Sequence, residues 1–368
     1  MSDPRIGTSG WSYPTGAGTW NGLFYPKRGK TRPKGFDELT YYAARFDTVE
    51  INSSFYGTPT PETTRGWVAR TPPGFAFSLK LYQKFTHPKM FREAALKRAP
   101  GGEGTMLELL AEVNQADIDE FKRAMDPLAS AGKLGALLAQ FPPSFKADAP
   151  SQDYLHRLLR VFREYPVAVE LRHKSWSDEM TATSKLLNAS SAAWVQIDEP
   201  KFQTSIRQNF LPNVTGFYYL RLHGRNAQNW WHPAKSEDRY DYLYSAEELD
   251  PFAEIAGAVK ALVKKMYLYT NNHFASKAVV NALMLKERLG MDTPGDYPED
   301  FVERYPQMRG VVKVAGASAG AGAAASEGAA AGSGVAVKKT RGAAVRKAAA
   351  RTLFDANAKD ANAKDQDD

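Results

Sequence analysis

Glu50 and Glu170 are the residues of this chain best suited to moving protons. Each lies near the end of a short segment in which apolar and polar residues alternate, TVEIN over Thr48–Asn52 and VAVELR over Val167–Arg172. Strand side chains alternate faces with a period of two. Glu50 and Asn52 therefore share one face, as do Glu170 and Arg172. A third segment, Phe217–His223, sets Tyr219, Arg221 and His223 against Tyr218, Leu220 and Leu222. Paired carboxylates serve as general acid and base, or as acid and nucleophile in glycoside hydrolysis. Arg172 and Arg221 suit a phosphate or carboxylate through forked hydrogen bonds. Lys80 offers the same anion a point charge, or a carbonyl an amine when desolvated. Gln140, Gln196, Asp198 and Asn271 complete the inward-facing set. Charges so placed must be paired or must meet solvent or ligand. The reading without chemistry is a charge network that fills the interior.

Histidines and aromatic rings gather in the turns after these segments. His87, His223 and His273, with Glu50, Glu170 and Asp198, are a set of oxygen and nitrogen donors, but none has the local spacing that marks a metal site. No metal is expected, and no cofactor is named by the residues. Trp11, Tyr13, Trp20, Phe24 and Tyr25 crowd the first turn, Phe55 and Tyr56 the second, Trp176 the fifth, and Trp230 and Trp231 the seventh. Trp11 and Tyr13 are the expected ligand contacts, through stacking on a sugar or base; most of the other rings pack long loops. The chain carries no Walker phosphate loop, no dinucleotide fingerprint after its first strand and no Gly-x-Ser-x-Gly elbow.

Elements must position these residues. Strand patterns fall at Arg5–Ser9, Thr48–Asn52, Ala76–Leu81, Leu134–Gln140, Val167–Arg172, Ala193–Asp198, Phe217–His223 and Lys265–Asn271. Helical spacing falls between most of them, at Phe36–Arg45, Pro61–Arg70, Met106–Ala131, Tyr154–Glu164, Asp178–Asn188, Ala246–Val263 and Ser276–Leu289. Asp178 and Ser276 read as helix N-caps. Pro200 and Pro212 bracket a stretch with little helical period, so the sixth connection is expected to be irregular. Eight strands alternating with helices, each with one apolar and one small or polar face, imply a (β/α)8 TIM-type barrel. An open doubly wound sheet has near-continuously apolar strands. In a barrel the chemistry sits at the C-terminal ends of the strands, where these residues lie.

Of 368 residues, 43% are hydrophobic and 24% charged, with no run of about twenty apolar residues and no cysteine. No membrane span, disulfide or thiolate site is expected, and the N-terminus has no secretory pattern, so the reading is cytoplasmic. Composition changes near Ala315, dividing a barrel over residues 1–314 from a tail over 315–368. The tail opens with an Ala/Gly-rich linker. Lys338, Lys339, Arg341, Arg346, Lys347 and Arg351 follow, then an acidic end. It reads as disordered, with the basic run as an arm for nucleic acid and Leu353-Phe354 as a docking peptide for a partner protein. The formal charge of +7 favours anionic partners only weakly.

Taken together, GTSGWSY at Gly7–Tyr13, the W-x-G-x-FYP pattern at Trp20–Pro26, VEINSSFY at Val49–Tyr56 and FSLKL before Thr86-His87 resemble a known family. QFPPSF at Gln140–Phe145, VELRHKSW at Val169–Trp176, YLRLHGR at Tyr219–Arg225 and YTNNH at Tyr269–His273 complete the pattern. The family is the YecE-like one, termed domain of unknown function 72, and the resemblance covers about residues 5–290. It implies a TIM-type barrel and supplies no activity. Fold analogy with metal-dependent apurinic endonucleases and sugar isomerases is analogy only. The expectation is a barrel enzyme, hydrolase- or isomerase-like, acting on an anionic sugar- or nucleotide-like ligand. Glu50, Glu170, Lys80 and His223 would be catalytic. Trp11, Tyr13, Asn52, Arg172, Asp198, Arg221 and Asn271 would bind. The alternative is a non-catalytic nucleic-acid-binding protein using the mouth or the tail.

Overall fold

The computed structural model describes residues 4–29, 32–88, 90, 91, 93, 113–208 and 216–315. The basic run, Leu353-Phe354 and the first part of the helix expected from Met106 lie outside them. Among the described residues, nine parallel strands form the two main sheets. The first has β2 (Thr48–Ile51), β3 (Ala76–Lys80), β4 (Leu134–Gln140), β5 (Val167–Glu170) and β6 (Ala193–Trp194) in sequence order. The second runs β1 (Arg5–Thr8), β9 (Met266–Thr270), β8 (Tyr218–Leu222) and β7 (Gln196–Asp198). The sheets meet at two seams. Between β1 and β2 a single bridge joins Ser9 to Glu50, and the Gly10 amide donates to the Glu50 carbonyl at 2.7 Å. Between β6 and β7 the chain runs on through Val195, whose amide donates to Val169 at 2.9 Å. The sixth expected strand is thus two, broken where the ladder passes from one sheet to the other. No closed eight-stranded ladder is present among the described residues.

Helices return the chain between strands, as parallel pairing requires. They are α1 (Glu38–Ala43), α2 (Pro61–Ala69), α3 (Gln83–Thr86), α4 (Gln115–Ser130), α5 (Ala149–Val161), α6 (Lys174–Asp178), α7 (Met180–Ala189), α8 (Ala246–Val259), α9 (Lys277–Arg288) and α10 (Glu299–Arg304). Their starts are encoded locally. Thr60 caps α2 ahead of Pro61, Asp148 caps α5, and capping boxes Asn114/Asp117 and Ser245/Glu248 open α4 and α8. Two expected caps differ. Asp178 ends α6 instead of opening the next helix, and Ser276, before α9, has φ 66° and makes no side-chain cap bond. The connection expected to be irregular carries no helix over its described residues 200–208. After α10, β10 (Asp296–Tyr297) pairs in parallel with β11 (Lys313–Val314).

Apolar strand residues such as Val49, Ile51, Leu79, Val169, Leu220 and Leu268 are buried in one contiguous core. The opposite, inner faces of the two sheets meet one another. Their lower part is filled by polar residues satisfied in pairs: Tyr269 Oη is 2.6 Å from Thr48 Oγ1 and donates to Ser78 Oγ at 3.0 Å. One position shows how tightly the β1/β2 seam is drawn. A Cβ on Gly7 would stand 2.2 Å from the Thr48 carbonyl oxygen, a backbone atom that cannot swing aside. Gly7→Ala is expected to cost about 1–3 kcal/mol of stability or more through overpacking. A denaturant titration showing a loss below about 0.5 kcal/mol would mean that the seam yields freely.

Candidate functional site

The inner faces carry a layer of charge at the C-terminal ends of the strands. Arg221, 1% exposed, is its centre. Its Nε donates to Glu50 Oε2 at 3.0 Å and its Nη2 to Glu50 Oε1 at 2.7 Å, a forked pair between β8 and β2. Its Nη1 donates to Gln140 Oε1 at 2.9 Å and to Glu170 Oε2. Glu50 also accepts from Ser9 Oγ and Tyr219 Oη, each at 2.7 Å. Four protein donor contacts therefore saturate a carboxylate with no exposure. Glu170, equally buried, takes Arg172 Nε at 2.8 Å on its second oxygen. Burial raises its carboxyl, but Arg221, Arg172 and His223 outweigh that and hold it well below the usual carboxylate range. Arg172 is partly exposed, and its Nη1 points to Glu199 Oε2 at 3.5 Å.

His223 sits between these groups, its Nε2 3.4 Å from Glu170 Oε1 and from both guanidiniums. Burial lowers its pKa to about 3, so the ring is neutral. The Asn271 amide nitrogen lies 2.9 Å from Nδ1, which assigns the ring proton to Nε2, facing Glu170. Asn271 Oδ1 accepts a long bond from Asn52 Nδ2 at 3.5 Å, while Asn52 Oδ1 is buried without a hydrogen-bond partner among the described residues. Lys80 ends β3 with its ammonium 3.9 Å over the Phe55 ring. Burial, then Arg221 and Arg172, lower its pKa to about 7 against the opposing pull of Glu170 and Glu50.

Glu50, Glu170, Lys80, His223, Arg172, Arg221, Asn52 and Asn271 are thus gathered at one end of the strands. Asp198 and Gln196 are not. Gln196 Oε1 accepts from Tyr218 Oη, on the outer side of β8, and Asp198 accepts from Arg225 Nε and Tyr244 Oη, each at 2.7 Å. The same two residues line a cleft of about 530 Å³ with Lys201, Phe202 and Phe252 of α8, and none of the charged cluster reaches it. Placing Gln196 and Asp198 on the outer face puts Glu199 on the inner one, because a one-residue offset exchanges faces. Glu199 is the site residue that strand alternation missed. Burial holds its carboxyl above the usual range, and Arg172 offsets this only in part. Its signal in the sequence was an acid just past a strand end and directly before Pro200.

The aromatic contacts are mixed. Tyr13 stacks on His273 with centroids 4.2 Å apart and donates to the Ser9 carbonyl; Trp11 meets Trp67 edge-on at 5.8 Å. Both are partly exposed, so each keeps some surface beyond its protein contacts. Trp20, Phe24 and Tyr25 are core. Among the described residues no three His, Asp or Glu side chains converge as metal ligands, and no helix is long and apolar enough to cross a membrane. His87 is far from protonation, its pKa lowered by burial to about 3.

A family model described as "Protein of unknown function DUF72" matches residues 5–301. UPF0759 protein YunF of Bacillus subtilis (strain 168) is 25% identical over 307 residues, covering 80% of this chain and 98% of the relative. A crystal structure of a DUF72 family protein from Thermotoga maritima is 31% identical, with TM-score 0.61, covering 78% of this chain and 98% of that one. One from Enterococcus faecalis is 23% identical, with TM-score 0.63, covering 81% and 100%, and shows the fold alone.

Proposed function

This chain belongs to the DUF72 family of proteins of unknown function, and we propose that its strand-end cluster binds an anionic, phosphate-containing sugar- or nucleotide-like ligand and performs acid–base chemistry on it. One observation carries this reading: two cationic groups at the mouth, Arg172 and Lys80, point nitrogens at no close acceptor among the described residues. Arg221 saturates Glu50 and shares Glu170 with Arg172. The outer nitrogen of Arg172 is then left with a loose 3.5 Å contact to Glu199, and the Lys80 ammonium with a ring face. An anion at the mouth supplies the acceptors. Glu50 acts through Arg221, as a positioning residue. The proton work falls to Glu170, His223 and Glu199. Glu170 is held ionised while Glu199 is pushed toward its neutral form, the kind of divergence that separates base from acid. Tyr13 and Trp11 offer ring surface to the sugar or base. The same reading joins the two sheets into one TIM-type ring, supported by the Ser9–Glu50 bridge and the chain continuity at Val195.

Titration calorimetry with ribose 5-phosphate and adenosine monophosphate tests the anion site. Arg172→Ala is expected to weaken binding about 10- to 100-fold, the worth of a charge-assisted hydrogen bond. Because Arg172 also donates to the buried Glu170, circular dichroism checks that the variant is folded before its affinity is read. Equal affinity for the wild type and the variant would place the anion elsewhere. Absence of any binding by the wild type would remove the reading.

A further inference from the structure

Three sequestered lysines of this chain have an evident structural use. Lys84 Nζ pairs with Asp117 at 2.7 Å, Lys133 Nζ donates to the Thr71 carbonyl at 2.7 Å, and Lys286 Nζ donates to the Arg45 carbonyl at 3.2 Å. Lys80 differs. Its Nζ rests on the Phe55 ring, and among the described residues no carboxylate lies within ion-pair distance and no oxygen accepts from it. Lys80 is partly exposed, so its charge loses only part of its water, and a ring face offsets only about 0.5–2 kcal/mol of that loss. The guanidiniums of Arg221 and Arg172 lie within electrostatic reach and disfavour the cation further. A cation on a ring is also a plain packing device, but such a device is cheapest at the surface, not beside two arginines.

The backbone that carries the amine is held in place. The Ser54 hydroxyl donates to the Lys80 carbonyl at 2.6 Å, and Lys80 pairs with Leu138 in the ladder. The other face or edge of the Phe55 ring is taken by His87, with centroids 4.9 Å apart and the planes perpendicular. The amine therefore stands at a strand end, on a rigid element, beside the groups read above as an anion site. With a pKa near 7, a large share of it is neutral at neutral pH, and the neutral amine is the nucleophile.

We propose that Lys80 Nζ forms a Schiff base with an aldehyde or ketone that also carries a phosphate or carboxylate, the anion being held by Arg172. The inference rests on the anion reading above and names its substrate class. The amine lone pair attacks the carbonyl carbon, a C–N bond forms, and the carbonyl π pair moves to oxygen, which takes a proton. The resulting carbinolamine loses its hydroxyl as water with one further proton, while nitrogen gives up one of its own. The net change is amine plus carbonyl plus one proton giving iminium plus water. Glu199 and His223, just past the ends of β7 and β8 in the facing sheet, are the groups of the cluster able to carry those protons.

The test uses the full chain, pyridoxal 5′-phosphate as the anionic aldehyde, and borohydride to fix any imine, followed by peptide mapping at pH 7. Lys80 is expected to be labelled more than about tenfold faster than surface lysines, whose pKa near 10.4 leaves them almost wholly protonated. Inorganic phosphate should slow the labelling, and Lys80→Arg, shown folded by circular dichroism, should lose it. Modification of surface lysines with Lys80 untouched overturns the proposal. If phosphate raises the melting temperature of the wild type but not of Arg172→Ala while Lys80 stays unlabelled, the Schiff base fails and the anion site stands. If uncharged glyceraldehyde labels Lys80 as fast as the phosphorylated aldehyde, the nucleophile is supported and the anion half of the proposal is overturned.

Discussion

Replacing Arg221 with Met lowers the stability of the fold by about 3–5 kcal/mol at pH 7. Arg221, on β8, is the shared counter-ion of two fully buried carboxylates, Glu50 and Glu170, both on the sheet opposite its own. Met retains much of its apolar length, so packing changes little. What the variant loses is compensation, and a buried carboxylate without a partner is among the costliest defects a core can hold. Arg221→Lys is not a rescue. A single ammonium cannot meet both Glu50 oxygens, Gln140 and Glu170 at once, as the guanidinium does.

The pH dependence gives the prediction a sign. In the wild type the Glu170 carboxyl is depressed in the folded state, so it contributes stability above its unfolded pKa of about 4.3. That contribution is lost as pH falls through the lower folded value. In Arg221→Met the Glu170 carboxylate is no longer held ionised by that guanidinium, so it takes up a proton at higher pH and the penalty is relieved. Urea titrations should therefore show the gap between the two proteins narrowing as pH falls from 7 toward 4. A gap below about 1 kcal/mol at pH 7, or one that does not change with pH, would show that the ion-pair layer is not what holds the sheets together here.

Trp20→Ala is expected to cost about 3–5 kcal/mol, the range for removing a large buried aromatic side chain. Trp20 has no exposure and packs against Tyr13, Phe24 and Tyr25 within the long first connection. Its Nε1 donates to the His273 carbonyl at 2.7 Å, fastening that connection to the end of β9. Trp20→Phe separates the two effects. It keeps most of the ring packing and leaves the buried carbonyl without this donor, for a smaller loss of about 1–3 kcal/mol. Both are read by denaturant unfolding. If the Ala variant lost no more than the Phe variant, the first connection would be fastened by that hydrogen bond alone. Because Tyr13 stacks on His273 and also meets Trp20, the Ala variant should loosen the aromatic edge of the mouth as well.

The strand positions were legible because each of these segments alternates apolar and polar residues, and alternation has only one structural meaning over five or six residues. Boundaries were read one or two residues long, since the polar residue after each strand continues the pattern past the last ladder bond. Asn52, Arg172, His223 and Asn271 are such residues. The helix starts at Pro61 and Ala246 were legible from propensity and capping chemistry, whereas the Asp178 cap was misplaced. Periodicity did not distinguish the short α6 from the helix behind it. The two-strand break at Val195 was not legible either, and Glu199 went with it. Whether Asp198 or Glu199 faces inward depends on a one-residue offset that both strand patterns tolerate.

By itself the sequence determined that parallel strands would alternate with helices, and that acids, bases and aromatics would collect at one end of them. These are local properties, set by the period of the side chains and by the length of each run. The partnerships were decided only by tertiary structure. Glu50 and Arg221 are 171 positions apart, and nothing local indicates that one saturates the other. Whether a glutamate is a reactive acid or a counter-ion depends on how many donors surround it and how much water remains. Both are settled when distant strands close upon one another. Glu50 and Glu170 read alike in the chain, yet in the fold Arg221 holds both and Arg172 only Glu170, while Lys80 rests on a ring and Glu199 Oε2 has no hydrogen-bond partner among the described residues.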